Sequence, residues 1–400
     1  MNKVAYDRVP GDVKSGDGSA REVAKLFFKL GTIAFGGPAA HIAMMHDEMC
    51  VRRRWISEER FLDLLGAANL IPGPSSTELA IYLGYERAGW RGLILGGVCF
   101  ILPAMLTVLA IAWAYVNYGA TPQAAWLLYG IKPVIVAIIV QALWGLVRNA
   151  VKGPLLAGAG LLVLGLYLAG FNPVALIFGS GLMVMLSANG WRFWRQARNT
   201  SASVALFPAL GVSVAQVAGM APVPFSLTAL FVTFLKLGSV VFGSGYVLLA
   251  FLRNDFVYRL GWLSDQQILD AVAVGQFTPG PVFTTATFIG YVVGGISGAV
   301  LATVGIFLPA FVFVAAVFPL VGMLRRSHWA SGFLDGVNVG ALGLIAGVTW
   351  QLGQAALTDW FTVIVAVVAL ALILRFKTNS AWLVLGGGAA GLISKLLFAI

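Results

Sequence analysis

Two stretches of this chain place Pro-Gly-Pro in the middle of apolar sequence. They are Asn69-Leu70-Ile71-Pro72-Gly73-Pro74-Ser75-Ser76-Thr77-Glu78 and Gln276-Phe277-Thr278-Pro279-Gly280-Pro281-Val282-Phe283-Thr284-Thr285. No regular helix continues through such a run. Two prolines remove backbone donors and clash with the preceding turn, and the glycine adds backbone freedom. Lipid holds no water to satisfy the carbonyls set free. Both stretches are therefore expected to be buried in protein or to line a cavity. Each should lead into a new helix, with Pro74 or Pro281 suited to the first helical position. Broken helices at matching places in two halves of a membrane protein point to a transport site, so Pro72, Gly73, Pro74, Pro279, Gly280 and Pro281 are candidate substrate-binding positions, their bare peptide dipoles facing an anion.

That the surroundings are membrane follows from composition. Of 400 residues, 59% are apolar and only 10% charged, and the mean hydropathy is +0.89. A soluble domain carries about 25% charge. The apolar runs are long and sparsely charged, which predicts an all-α polytopic membrane protein and not a barrel of alternating strands. The net charge is +10, but the Lys and Arg residues sit in short inter-helix segments. Positive-inside bias accounts for them better than nucleic acid does. A positive field would also help a protein that handles anions. Cys50 and Cys99 suggest neither a disulfide framework nor a metal site. No cofactor and no catalytic residue is expected. Residues 1–22 read as a polar tail, without the apolar core and cleavage site of a signal peptide.

The apolar segments fall into two series. Segment A runs Val23–Met45, B Phe61–Tyr85, C about Gly92–Val116, D about Ala125–Val147, E Leu155–Gly170 and F Pro173–Ser187. A linker at 191–224 follows, and the same order returns over 225–400, so 23–190 and 225–400 are read as two transmembrane repeats. An offset of 207 aligns Lys29-Leu30-Gly31 with Lys236-Leu237-Gly238, Trp55 with Trp262, Asp63 with Asp270, and Pro72-Gly73-Pro74 with Pro279-Gly280-Pro281. An offset of 206 then aligns Gly84-Tyr85 with Gly290-Tyr291, Leu102-Pro103 with Leu308-Pro309, and Trp144 with Trp350.

Charge gives the relative orientation. The C–D connection has no Lys or Arg in the first half and Arg325 and Arg326 in the second; D–E has Arg148 and Lys152 in the first and none in the second. E–F has none in the first and Arg375 and Lys377 in the second. Every contrast changes sign, so the halves are expected to be inserted upside down relative to each other. About ten spanning helices are expected, five in each half, with A and B together contributing one net crossing and part of that pair re-entrant. In the alternative, the linker piece Val204–Met220 crosses and the total is 12 or 13.

Several polar residues in these breaks can carry function. Lys29 and Lys236 could bind or gate an anion, or snorkel to the interface. Gly36-Gly37-Pro38 and Gly243-Ser244-Gly245 interrupt A and A′; they could be packing sites or unwound loops whose N–H groups face an anion. Ser75, Ser76, Thr77, Thr284 and Thr285 stand in the first turn after each break, as caps or as donors to an oxyanion. Glu78 and His41 are the candidates for proton coupling. Glu48, Arg53, Arg253 and Asp255 form a charged rim, as an anchor or a gate.

The run Phe28-Lys29-Leu30-Gly31 with Phe35-Gly36-Gly37-Pro38-Ala39-Ala40-His41-Ile42, followed by Asn69 to Pro74, resembles the chromate ion transporter family of bacteria. So does Phe242-Gly243-Ser244-Gly245-Tyr246-Val247-Leu248-Leu249-Ala250 followed by Gln276 to Thr287. The resemblance covers both halves. It implies an inner-membrane exporter of chromate that gives chromate resistance and is driven by the proton gradient or the membrane potential. It also implies that sulfate, a close isostere, competes or exchanges. Sulfate uptake by the same fold is the alternative within the class, and a homodimer is left open. A membrane-embedded chromate reductase would need a haem, flavin or cluster site, of which the sequence shows no motif.

Overall fold

The computed structural model describes residues 19–35, 37–119, 121–197, 224–242, 245–318, 328–376 and 378–398. The described residues are helical with short turns and no strand, as expected where only a helix satisfies its own backbone. The first half comprises α1 (Ala20–Ile33), α2 (Gly37–His46) extended by a π-helical turn (Asp47–Arg52), α3 (Glu58–Ala68), α4 (Ser75–Tyr118), α5 (Pro122–Ala150), α6 (Pro154–Leu168) and α7 (Pro173–Ala197). The second comprises α8 (Leu227–Val240), α9 (Val247–Leu252) with its own π-helical turn (Arg253–Arg259), α10 (Asp265–Phe277), α11 (Thr285–Val317), α12 (His328–Ala356), α13 (Trp360–Phe376) and α14 (Ser380–Phe398). The repetition extends to backbone angles. Ala88-Gly89 kinks α4 at φ/ψ of −139/26° and 57/−145°, and Gly294-Gly295 kinks α11 at −145/18° and 60/−152°.

Salt bridges reveal how the chain turns. Lys29 Nζ lies 3.1 Å from Glu48 Oε1. A straight helix would separate residues 19 apart by about 28 Å. The chain therefore reverses after Ile33, and α1 and α2 form a hairpin. Lys236 pairs with Asp255 in the same way. Arg60, near the start of α3, pairs with Glu86. So α3 and the first three turns of α4 form a second hairpin around Pro-Gly-Pro. At Ala88-Gly89 the chain reverses once more, and Gly84 packs on the backbone of Gly92. Segments A and B thus each return to the face they left. The expected single net crossing by that pair is not found, because each has a full reversal at its break.

The remainder of α4 runs the depth of the molecule and links two ends. One end collects the ion pairs Arg87–Glu22, Arg60–Glu86, Arg53–Glu48 and Arg52–Asp47, with Trp55 stacked under Arg53 and Arg87. We call it the basic face. The other end joins Tyr115 to Asp270, Tyr129 to Asp359, and Gln266 to the Ala355 carbonyl. It is the far face. Among the described residues, five helical stretches are long and apolar enough to cross a membrane: Ser75–Tyr118, Pro122–Ala150, Val282–Val317, Ser331–Ala356 and Ser380–Leu397. Four more apolar helices are shorter.

Small residues set the helix packing, as is usual where lipid supplies no drive for association. A Cβ at Gly31 would collide with the Phe100 backbone, and one at Gly238 with the Ile306 backbone. This gives the repeated Lys-Leu-Gly triplets a structural reason. Helix α7 continues past Ser187 to Ala197, so the linker starts later than the sequence suggests. Residues 198–223, with the Val204–Met220 piece, lie outside the described residues.

Candidate functional site

The two Pro-Gly-Pro breaks meet the opposite half. Gly73 N–H donates to the Val241 carbonyl at 2.8 Å, and Gly280 N–H donates to the Ala34 carbonyl at 2.9 Å. Val241 and Ala34 end α8 and α1, where the first hairpins break. Each half therefore ties its proline break to the first-hairpin break of the other. Only glycine fits comfortably between the prolines, since φ is 138° at Gly73 and 89° at Gly280. These two amides are engaged and are not bare donors awaiting an anion. Pro74 caps α4 and Pro281 caps the 3-10 turn Val282–Thr284, one place earlier than expected. Pro72 and Pro279 open the two breaks.

His41 strengthens the junction. Its Nε2 lies 3.1 Å from the Ala34 carbonyl, which can only accept, so Nε2 carries the proton. Nδ1 then accepts from Ser76 Oγ at 3.2 Å. The ring also packs edge-on against Phe100. One side chain thus joins the α1 break, α2 and the start of α4.

Beside this crossing lies a cavity of about 700 Å³. From the breaks it is lined by Gly37, Ser75, Gly245 and Val282. From α5 come Gln141 and Asn149, with Lys152 just after it; from α12, Asp335 and Asn338; and from the ends of α3 and α10, Asn69 and Gln276. Lys152 follows the end of α5 and Asp335 lies two turns into α12, both on the side of the basic face, so the cavity extends from the crossing toward that face. Its described lining holds one cation, one carboxylate and five amides. Amide N–H groups replace water around an oxyanion without the grip of full charge, which allows release.

The other residues singled out by sequence take varied places. Lys29 and Lys236 are not at the crossing but are held in their ion pairs with Glu48 and Asp255. Glu48 also binds Arg53 at 3.0 Å. Burial pushes the Glu48 carboxyl up, but Arg53 and Lys29 outweigh it and hold the group below its usual range. Arg253 pairs with Asp265 at 2.6 Å and reaches Gln351, while Asp255 takes Arg259 and Lys236. Thr284 and Thr285 donate to their own turn, at the carbonyls of Pro281 and Val282. Thr77 is buried with no partner for its hydroxyl. Glu78 is 0% exposed, and neither of its oxygens has a hydrogen-bond partner. It lies against Gly73, where a Cβ would strike Glu78 Oε1. Gly36, Gly243 and Ser244 lie outside the described residues.

Sequence reasoning missed the helix-borne polar lining. Gln141, Gly145 and Asn149 follow each other at spacings of four, which places them on one face of α5, and Lys152 follows just beyond its end. That periodicity was the available signal.

Paired broken helices that cross beside a polar cavity, in a multi-pass helical chain, define a membrane transporter. The sequence profile of the family described as "Chromate transporter" matches residues 21–185 and 228–392, one match per half, and the chain belongs to this family. The chromate transport protein of Cupriavidus metallidurans is 34% identical over 92% of this chain and 91% of its own length. The chromate transport protein of Pseudomonas aeruginosa is 33% identical over 91% of this chain and 90% of its own. No solved structure matches.

Proposed function

We propose that this chain is a secondary active transporter that exports chromate across a bacterial inner membrane and so gives chromate resistance. Its two halves are inserted in opposite orientation, with the basic face in the cytoplasm. The observation that carries the reading is the crossing: two proline breaks, each bonded to the other half, beside an amide-lined cavity open to the basic face. The inversion is supported by the position of the hairpins. Those of the first half turn back to the basic face. Those of the second half have their ends together where Phe225 packs on Trp262 and beside Gly294, and Arg253 there reaches Gln351, one turn before Ala355 at the far face. Positive-inside bias puts the basic face in the cytoplasm.

Driving force is available without ATP. Moving a dianion outward across a potential of ~100 mV releases about 4–5 kcal/mol, at ~2.3 kcal/mol per charge. That sustains a concentration ratio of about a thousandfold. Glu78 is the group we assign to proton coupling, because an unpaired carboxyl at membrane depth is characteristic of proton pathways.

The test is counterflow in proteoliposomes. Chromate, sulfate, molybdate and phosphate are compared under imposed pH and voltage steps. Chromate flux that responds to voltage supports the reading, and flux of sulfate alone, directed inward, replaces it with sulfate uptake. Neutral amides do not separate isosteric tetrahedral dianions by charge, so sulfate is expected to compete.

A further inference from the structure

The far face has a smaller polar pocket of about 320 Å³, whose lining includes Tyr129, Lys132, Gln266, Asp270, Ala355 and Thr358. Its location follows the internal repeat. Under the 206-residue offset, Asn149, Lys152, Asp335 and Asn338 of the large cavity fall on Ala355, Thr358, Tyr129 and Lys132. All four counterparts line the small pocket. The small pocket is thus the other half's copy of the large mouth, turned to the opposite face and constricted.

Asp270 constricts it. Its carboxylate is 3% exposed, 3.2 Å from Lys132 Nζ, and accepts from the Tyr115 hydroxyl at 2.9 Å. Lys132 also donates to Gln266 Oε1 at 2.6 Å. These bonds fasten α10 of the second half onto α4 and α5 of the first. The counterpart of Lys132 on the open side is Asn338, a neutral residue in a wide cavity.

We propose that this pocket is a second anion site, at the far mouth of the pathway, where a tetrahedral dianion and the Asp270 carboxylate compete for Lys132 and the Tyr115 hydroxyl. The proposal rests on the transport reading above. A carboxylate and an oxyanion call for the same charged and hydroxyl donors. With no anion present, Asp270 takes them and draws α10 against α5. An arriving dianion brings more charge to Lys132 and releases α10. The ammonium is therefore both ligand and latch, and Asp270 is the resting occupant of an anion site.

Right-side-out and inside-out membrane vesicles present the far and basic faces in turn to external chromate. Asp270→Asn removes the competitor and is expected to lower half-saturating chromate at the far face about tenfold, and Lys132→Gln to raise it about tenfold, with the basic-face value changing less than about twofold in both. The double variant should follow Lys132→Gln. Tyr115→Phe keeps the ring packed on Phe288, 5.0 Å between centroids, but loses one of the two donors, so it should shift the far-face value in the direction of Lys132→Gln. If both single variants lose flux from both faces and the double variant restores it, the pair is only structural and the proposal is wrong. Unchanged far-face values in every variant overturn it as well. Absence of chromate flux in the unmodified protein removes the transport reading instead. The far site is then judged by whether sulfate shields a Thr358→Cys thiol from an impermeant maleimide. Shielding that Lys132→Gln abolishes supports the site, and no shielding overturns it.

Discussion

Lys152 and Glu78 show how differently two ionisable residues can serve. Lys152 stands at the mouth of the large cavity, on the non-helical turn after α5, with its side chain exposed. An exposed cation at that place is suited to raise the local concentration of anions more than to bind them, as charged clefts do. Lys152→Gln is therefore expected to raise half-saturating chromate at the basic face about threefold to tenfold at low salt, with the effect fading as ionic strength approaches about 0.15 M or more. Lys152→Arg should keep the wild-type value. Flux measured across a salt series decides this, and a loss that does not depend on salt would argue for direct binding. Glu78 is enclosed, so salt should not reach it. Glu78→Gln keeps shape and removes the proton-carrying group. Efflux of the variant should lose its response to an imposed pH step while retaining its response to voltage. An unaltered pH response would take Glu78 out of the coupling path.

At the scale of the element, the hairpins depend on glycine pairs at their kinks. A Cβ on Gly84 would enter the Gly92 carbonyl, and one on Gly290 the Gly298 carbonyl. Neither neighbour can yield, since both are backbone. Gly84→Ala or Gly290→Ala should destabilise the protein by about 1–3 kcal/mol, the usual range for overpacking, and lower its thermal midpoint in detergent. Gly179→Ala is the contrast, because no atom lies within 4 Å of a Cβ there; helix propensity alone should make it neutral or stabilising. Equal midpoints for Gly84→Ala and Gly179→Ala would disprove the close-packed kink. These elements also show what a reader of the sequence can and cannot see. Pro72-Gly73-Pro74 and Pro279-Gly280-Pro281 announce breaks because their chemistry forbids a helix in any context. The matching of Lys29 with Lys236 and Trp55 with Trp262 announces two related halves. The folding back of α1 on α2 is not announced, since a contact between Lys29 and Glu48 is tertiary and no local rule forces it. The donors of Gly73 and Gly280 looked free for the same reason: their partners, Val241 and Ala34, lie in the other half. The amides of α5 were visible as a helical stripe, but a few polar residues in a long apolar helix do not disclose that the helix borders a cavity.

For the whole molecule, the strongest consequence of the arrangement concerns its two ends. Glu22, one turn into α1, pairs with Arg87 at 3.1 Å, so the N-terminal end of the described chain is at the basic face. Lys395, in the last turns of α14, lies 4.6 Å from the centre of the Tyr129 ring, and Tyr129 bonds Asp359 at the far face. The two ends of the described chain therefore lie on opposite faces. That placement supports the proposed arrangement, in which one half is inverted relative to the other. With the basic face in the cytoplasm, a fluorescent protein that folds only in the cytoplasm should be bright when fused at the N-terminus and dark when fused at the C-terminus. Alkaline phosphatase, which needs an oxidising compartment for its disulfides, should show the reverse at the C-terminus. Both ends reporting the same compartment would sink the inverted arrangement, and with it the kinship between the large mouth on one face and the constricted mouth on the other.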